Sequence, residues 1–332
     1  MTAGSGAASG AGPAVETRGL HKRYGRTVAL ESLDLRVERG EVFGLLGPNG
    51  AGKTTTVKLL LGLTNPTSGE GRLLGRPMGD REARRRTGYL PELFRYPHWL
   101  RAREVLRLHC ELAELPRRTW DHEVDTALER VGLATRGADK VSGFSKGMQQ
   151  RLGLGVALLG DPEIVILDEP TSALDPLGRD EVRSIIRDAG ARGTTVILNS
   201  HLLGEVERLC DRVTIIHRGR AIAAGTVREL LGEPALRIRV SGLADPAALL
   251  GGFGPVVGLD EDGSVRLRPL AAEQVPEAVA AVVAAGGRVH AVEPGRGSLE
   301  DAFLQLVRGD GTAATAVAPA AAATPRPPED GA

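Results

Sequence analysis

Cysteine is scarce in this chain of 332 residues. Its two cysteines, Cys110 and Cys210, are too few for a disulfide framework or a cysteine metal cluster. Its seven histidines show no spacing that is typical of metal ligands. The composition therefore predicts a protein of a reducing compartment.

Net charge is also absent, because 42 lysine and arginine residues are balanced by 42 aspartate and glutamate residues. Without a positive surplus the chain lacks the usual means of binding nucleic acid, so we expect no nucleic-acid partner. No stretch approaches the roughly 18 consecutive apolar residues that span a bilayer. Residues 1–13 lack the basic start and Leu-rich centre of a signal peptide. We expect a soluble protein that reaches a membrane only through a partner.

Lysine is rare, since only five of the 42 basic residues are lysine. One of them lies in a stretch that matches G-x-x-x-x-G-K-[ST], between the apolar run Val42–Leu46 and a segment with helical apolar spacing. Glycines let backbone N–H groups converge on an oxyanion, and a helix start adds partial positive charge. We predict a phosphate-binding loop, with Lys53 as a point charge for the β- and γ-phosphates and the Thr54 hydroxyl as a Mg²⁺ ligand. The stretch consists of Gly47, Pro48, Asn49, Gly50, Ala51, Gly52, Lys53, Thr54 and Thr55.

Two later strands are predicted to end in polar residues. The apolar strand predicted over Ile164–Glu169 ends in two carboxylates, and paired acids there need an electrostatic reason. A Mg²⁺ ion at Asp168 and an attacking water at Glu169 supply one. The next strand, Thr195–Leu198, leads to His201, which could donate to a phosphate oxygen, although a lone histidine is more often structural.

Three further positions are candidates for ligand contacts. Tyr24, one of ten aromatic residues, lies in a predicted turn and could stack on a base or be a half-buried turn residue. Ser145 and Gly147 open a predicted helix that runs through Leu159, which indicates either a second anion site or a structural N-cap. Glu92 follows the predicted strand at Thr87–Pro91, where ligands of open α/β sheets bind.

Together these residues resemble the ATP-binding subunit of ATP-binding cassette (ABC) transporters, over about Val15–Leu231. Gly47–Thr54 looks like the Walker A loop of that family and Ile164–Asp168 like its Walker B strand. Phe144–Met148 occupies the position of the LSGGQ signature and differs from it at the first, third and fifth residues. The order of these elements is far more specific than any single motif.

The resemblance implies further roles. Asp175 matches the D-loop, His201 the H-loop and Tyr24 the adenine-stacking aromatic residue of the A-loop. Glu92 stands where most members have the Q-loop glutamine, a substitution that resembles exporter-type subunits. Whether Glu92 contacts Mg²⁺ or acts only in coupling stays open.

The family mechanism implies a head-to-tail dimer in which each subunit closes its partner's nucleotide with Ser145 and Gly147. Glu169 would orient the attacking water, with Lys53, Mg²⁺ and His201 stabilising charge on the phosphoryl group. The expected protein is an ATPase on the cytoplasmic face of the membrane, bound to an integral membrane permease, as a homodimer or as a heterodimer with a paralogous ATPase. The alternatives are a soluble ABC ATPase that acts on ribosomes or DNA, and a phosphate-binding module without catalysis.

The expected fold class is α/β: an ABC-type P-loop nucleotide-binding domain with a parallel core sheet, an antiparallel edge sheet and a helical subdomain at about 93–160. This domain is predicted over 14–232, between a disordered tail at 1–13 and a small α+β module at 233–308. The module resembles the C-terminal extension of ATPases that serve ABC-2 type exporters. Residues 309–332 are predicted to be a second disordered tail.

Overall fold

The structure is a computed structural model. It describes residues 12–172, 174–231, 235–260, 262–268, 270–271, 273–295 and 298–308. The predictions for residues 1–11 and 309–332 lie outside the described residues. Two compact units divide the chain, with the boundary between Gly225 and Thr226.

The first unit is built on a ten-stranded sheet. The strands that lie at its centre are buried along their whole length and are apolar except at their ends, as expected for parallel strands covered on both faces. The strands are β1 Val15–Tyr24, β2 Thr27–Val37, β3 Val42–Leu46, β4 Ser68–Leu73, β5 Arg76–Pro77, β6 Thr87–Leu90, β7 Ile164–Asp168, β8 Thr195–Ser200, β9 Arg212–His217 and β10 Arg220–Thr226.

The strand order is β5-β4-β1-β2-β10-β9-β3-β8-β7-β6. In the core, β3 pairs in parallel with β8 and β9, and β7 pairs in parallel with β6 and β8. At the edge, β1 pairs antiparallel with β2 and β4. The sheet confirms the predicted α/β class with a parallel core and an antiparallel edge. The carboxyl ends of β3, β7 and β8 therefore meet at one edge of the core.

Helices follow the core strands. Those between β6 and β7 in the sequence, α3, α4 and α5 below, pack on one another. Three short 3₁₀ turns lie among them, at Arg117–Thr119, Ala134–Arg136 and Val141–Gly143. The helices are α1 Lys53–Leu60, α2 Arg81–Arg85, α3 Ala102–Leu112, α4 Trp120–Arg130, α5 Lys146–Ala157, α6 Pro176–Ala191 and α7 Leu203–Leu209.

Three elements differ from the sequence expectations. Tyr24 is the last residue of β1 rather than a turn residue, because pairing with β2 continues to Thr27. The sequence also predicts a short strand at Arg72–Leu74 after a turn. The observed strand, β4, begins already at Ser68 because it pairs with β1 despite its glycines. The sequence predicts a helix at Arg179–Ala189. The observed helix, α6, begins at Pro176 because the Asp175 side chain accepts a hydrogen bond from Gly178 N at 2.8 Å and caps it.

The second unit has its own antiparallel sheet, in the order β12-β13-β11-β14. Helices α9 and α10 pack on this sheet around a core that includes Ile238, Leu250, Val265 and Val282, and α8 packs against α11. Its elements are α8 Val227–Leu231, β11 Ala235–Ser241, α9 Pro246–Gly251, β12 Val256–Leu259, β13 Ser264–Leu267, α10 Gln274–Ala284, β14 Arg288–Gly295 and α11 Leu299–Arg308.

Candidate functional site

The loop between β3 and α1 has a backbone that only glycine adopts easily. Gly47, Gly50 and Gly52 have φ angles of 152°, 80° and 113°. A Cβ at Gly47 would lie 2.1 Å from the carbonyl oxygen of Ile216, and one at Gly52 would lie 2.6 Å from that of Ala29. At Gly50 the same position has no atom within 4 Å. The loop thus packs closely against the protein at Gly47 and Gly52 and faces open space at Gly50, which fits the predicted phosphate cradle.

Lys53 begins α1 and folds back over this loop. Its ammonium group donates hydrogen bonds to the carbonyl oxygens of Gly47 at 2.7 Å and Pro48 at 3.3 Å. Burial lowers the pKa of Lys53, and the charges of Glu169, Asp168 and Glu92 oppose that shift. The lysine therefore carries the positive charge next to three carboxylates, at the place where the phosphates of a nucleotide would lie.

Asp168 ends β7 and is only 2% exposed. Burial raises the pKa of Asp168 to about 6, and Glu92 and Glu169 contribute to the rise. Two groups act against it, namely Lys53 and the side-chain amide of Asn199, which donates to Asp168 Oδ1 at 2.5 Å. The raised pKa means that the negative charge of Asp168 is unfavourable in its buried surroundings. A bound cation would compensate that charge.

Glu169 and His201 are in direct contact. Glu169 has a left-handed backbone, with a φ angle of 52°, and its N–H donates to the carbonyl oxygen of Asn199 at 2.8 Å. Its Oε1 lies 2.7 Å from His201 Nδ1 and accepts the His201 backbone N–H at 2.9 Å. The carboxylate is 7% exposed and the histidine ring 41% exposed. The pair can therefore hold or move a proton between a buried carboxylate and a ring that faces solvent.

Two residues at the end of β8 were not assigned a role from the sequence. Asn199 donates to Asp168, while its own Oδ1 is buried without a hydrogen-bond partner among the described residues. The Ser200 hydroxyl donates to Glu169 Oε2 at 3.4 Å and accepts the N–H of Leu202 at 3.0 Å. Their position just before His201 was the available signal, because adjacent parallel strands end at the same edge.

No hydrogen bond within the described residues joins this cluster to Tyr24, Ser145, Gly147 or Asp175. Tyr24 is 45% exposed at the end of β1. Ser145 is exposed and caps α5 by accepting the Met148 N–H at 3.2 Å, and Gly147 lies in the first turn of that helix. Asp175 caps α6. Within residues 12–172 and 174–231, no hydrogen bond or ion pair joins Ser145, Gly147 or Asp175 to Lys53.

The oxygen-bearing side chains near Lys53 supply only part of a Mg²⁺ site. Among the described residues, no group of three or more His, Cys, Asp and Glu side chains could hold a metal ion. Mg²⁺ is commonly bound by one or two carboxylates together with substrate phosphates. Three carboxylates around one lysine leave a negative excess, so Thr54, Asp168 and the exposed Glu92 fit a Mg²⁺ ion that arrives with a nucleotide.

A membrane-spanning helix is not found in the described part of the chain, because none of its helices is long and apolar enough.

Comparison with known proteins gives one consistent family. Residues 30–172 match the family described as ABC transporter. The daunorubicin resistance ATP-binding protein DrrA3 of Streptomyces coeruleorubidus is 39% identical over 310 residues, which cover 90% of this chain and 96% of that protein. The Nod factor export ATP-binding protein I of Cupriavidus pinatubonensis is 41% identical over 219 residues, covering 65% of this chain and 67% of that protein. A solved ATP-binding subunit of an ABC transporter superposes with a TM-score of 0.59 at 33% identity, over 65% of this chain and 91% of that one.

Proposed function

Because this chain belongs to the family of ABC transporter ATP-binding proteins, we propose that it powers an ABC-2 type membrane exporter. Family membership gives the coarser function, an ATPase that is coupled to transport. The observation that carries the proposal is the cluster of Lys53, Asp168, Glu169 and His201 at the carboxyl edge of the core sheet. Export is supported by the names of the two relatives, of which one concerns drug resistance and the other Nod factor export.

In the proposed mechanism, the phosphate loop binds the phosphates of ATP through its backbone N–H groups. Lys53 exchanges its bonds to Gly47 and Pro48 for the β- and γ-phosphates. Thr54 and Asp168 would hold Mg²⁺, with Glu92 either as a third ligand or as a coupling residue. When bound, that ion neutralises charge that develops on the transferred phosphoryl group.

Glu169 orients the attacking water and accepts its proton, and His201 keeps the carboxylate in position through Nδ1 and the backbone N–H. Asn199 holds the Asp168 carboxylate in place from the neighbouring strand. Burial of the cluster strengthens each of these electrostatic interactions.

A head-to-tail dimer completes the proposed site. Ser145 is exposed at the start of α5, and its N-cap leaves further N–H groups of that helix available to an anion. Within residues 12–172 and 174–231, Ser145 and Gly147 make no hydrogen bond to Lys53, and in the proposed dimer they would act on the nucleotide of a second subunit. Asp175, which is exposed at the start of α6, would lie at the same interface between the two subunits.

The membrane partner is proposed to bind beside the helical layer. A cleft of about 470 Å³ lies between α2, β6, α3 and α5, and its lining includes Arg84, Tyr89, His109 and Leu112. Leu112 is 67% exposed, and the nearby segment after Glu92 exposes Trp99 by 72%. A cleft that combines charged side chains, Arg84 among them, with apolar walls suits a short cytoplasmic helix of a permease. The protein would then work at the cytoplasmic face of the membrane without crossing it.

Purification of the tagged full-length chain from gently solubilised membranes of its own host tests the proposal. We expect an integral membrane protein with several helices to be recovered with it. Recovery should fall when Leu112→Asp and Arg84→Glu are introduced together, and it should persist with Lys140→Met, which changes an exposed lysine outside the cleft. Recovery of ribosomal or DNA-bound partners, with none from the membrane, would favour the soluble ATPase instead.

A further inference from the structure

The ammonium group of Lys22 lies over one face of the Tyr24 ring. The ammonium nitrogen of Lys22 lies 4.7 Å from the ring centroid, within the range of a cation–π contact. The tyrosine is 45% exposed, whereas Lys22 is half-buried. One face of the ring is therefore covered by Lys22.

Lys22 is itself held in place by the chain that leaves the phosphate-loop helix. Its ammonium group donates to the carbonyl oxygen of Asn65 at 2.7 Å. Two further hydrogen bonds tie the same segment to β1, from Arg23 N to Thr67 Oγ1 at 3.0 Å and from Thr67 N to the His21 carbonyl oxygen at 2.9 Å. The position of the lysine is thus fixed relative to the segment after α1, the helix that begins with Lys53.

We propose that Lys22 is a positioning residue that prepares Tyr24 for the purine base of ATP. Lys22 covers one face of the ring and restricts its rotation, so that the opposite face is the platform on which the base stacks. Pre-organisation of a side chain reduces the entropy lost on binding and strengthens the contact without a new bond to the ligand. This inference rests on the proposed ATP-binding function and concerns only the recognition of the base.

The test compares two ligands on the full-length chain by calorimetry, ATP and inorganic triphosphate, each with Mg²⁺. Lys22→Met keeps the length of the side chain but removes the cation. We expect it to weaken ATP binding about two- to fivefold, the loss of one exposed cation–π contact. Triphosphate binding should not change, because triphosphate has no base. Lys22→Arg should restore most of the ATP affinity, and Lys140→Met serves as the matched lysine control.

A second pair of variants separates the roles of the two residues. In a Tyr24→Ala background, Lys22→Met should have no further effect on ATP affinity. Equal losses for ATP and triphosphate would mean that Lys22 binds phosphate and would overturn the inference, as would an additive loss in the Tyr24→Ala background. If Tyr24→Ala alone leaves ATP affinity unchanged, the base platform is wrong. The ATPase proposal still stands in that case, provided that Lys53→Ala abolishes binding of both ligands.

Discussion

Glu169 and His201 are joined by two contacts, a 2.7 Å hydrogen bond between Oε1 and ring Nδ1 and a 2.9 Å hydrogen bond from the backbone N–H of His201. Both involve the same carboxylate oxygen. Because the backbone donor remains when the ring is removed, the histidine side chain and the carboxylate can be tested separately. The arrangement makes the two residues one unit whose effects on hydrolysis should not add.

The first prediction concerns this pair. Glu169→Gln should lower the rate of ATP hydrolysis by about 10²–10⁴-fold, the usual contribution of a general base. His201→Ala should also lower the rate, and the double variant should be no slower than the slower single variant. Steady-state phosphate release measures all three. Ser200→Ala is the control, since its 3.4 Å contact to Glu169 is weak and its loss should change the rate little. Fully additive losses would contradict this prediction, because they would show that Glu169 and His201 act independently.

The second prediction concerns Asp168 and pH. Its pKa of about 6 in the folded protein exceeds the ordinary value of 3.8. The folded state therefore binds the proton more tightly than the unfolded state, and folding stability falls as pH rises from about 4 to about 6. Asp168→Asn removes this penalty, and its side-chain oxygen can still accept from Asn199.

We expect the ligand-free Asp168→Asn variant to be more stable than the parent at pH 7, on the order of 2 kcal/mol. The advantage should shrink towards pH 4, where the parent carries the proton. Urea unfolding at both pH values measures the free energies. The same variant should lose Mg²⁺-dependent hydrolysis. A variant that is less stable than the parent at pH 7 would show that the charge of Asp168 does not destabilise the folded protein.

The third prediction concerns the packing of α5 against strand β6. A Cβ at Gly88 of β6 would lie 1.8 Å from the carbonyl oxygen of Ala157 at the end of α5. Backbone cannot move aside as a side chain can, so Gly88→Ala should destabilise the protein by about 1–3 kcal/mol or more. Gly143→Ala is the matched control, because no atom lies within 4 Å of its Cβ position. Thermal unfolding should separate the two, and equal midpoints would contradict the close packing.

The site-bearing elements of the first unit could be predicted from local sequence. Strand β3, the loop and α1 follow from an apolar run, a glycine pattern and helical spacing within about 20 consecutive residues. Strand β7 was predicted over Ile164–Glu169, one residue beyond the observed Ile164–Asp168, because a buried parallel strand is continuously apolar. Tyr24 was placed in a turn because Lys22-Arg23-Tyr24-Gly25 lies between two predicted strands, whereas pairing with β2 extends β1 to Tyr24.

Contacts between distant residues could not be predicted in the same way. The bond from Asn199 to Asp168 joins residues 31 apart, and it depends on the register of β7 and β8. The basic run Arg81–Arg86 is typical of a solvated helix face, yet Arg81 and Arg85 both pair with Glu114, which follows α3. In the second unit, helix α9 and strand β12 were not predicted, since each has six residues or fewer and no periodic pattern over that length.

The fourth prediction concerns the second unit, for which we propose a dimer-stabilising or regulatory role. Its boundary at Thr226 and the packing of α8 against α11 show where to cut, because a chain that ends at Leu231 would leave α8 without its partner. A chain ending at Thr226 should keep ATP binding and show a changed ATPase rate or weaker dimerisation. Unchanged rate and dimerisation, with folding verified by circular dichroism, would leave the unit a structural support only.

The most direct test of the head-to-tail account is the mass of Glu169→Gln in solution, measured by light scattering with and without saturating ATP and Mg²⁺. Binding persists in this variant while water activation is lost, so ATP should hold two chains of 34.9 kDa together. The dimer should require Ser145, and Glu169→Gln combined with Ser145→Arg should stay monomeric while still binding ATP. A single variant that binds ATP and yet keeps the mass of one chain would contradict the proposed dimer and the site that it completes.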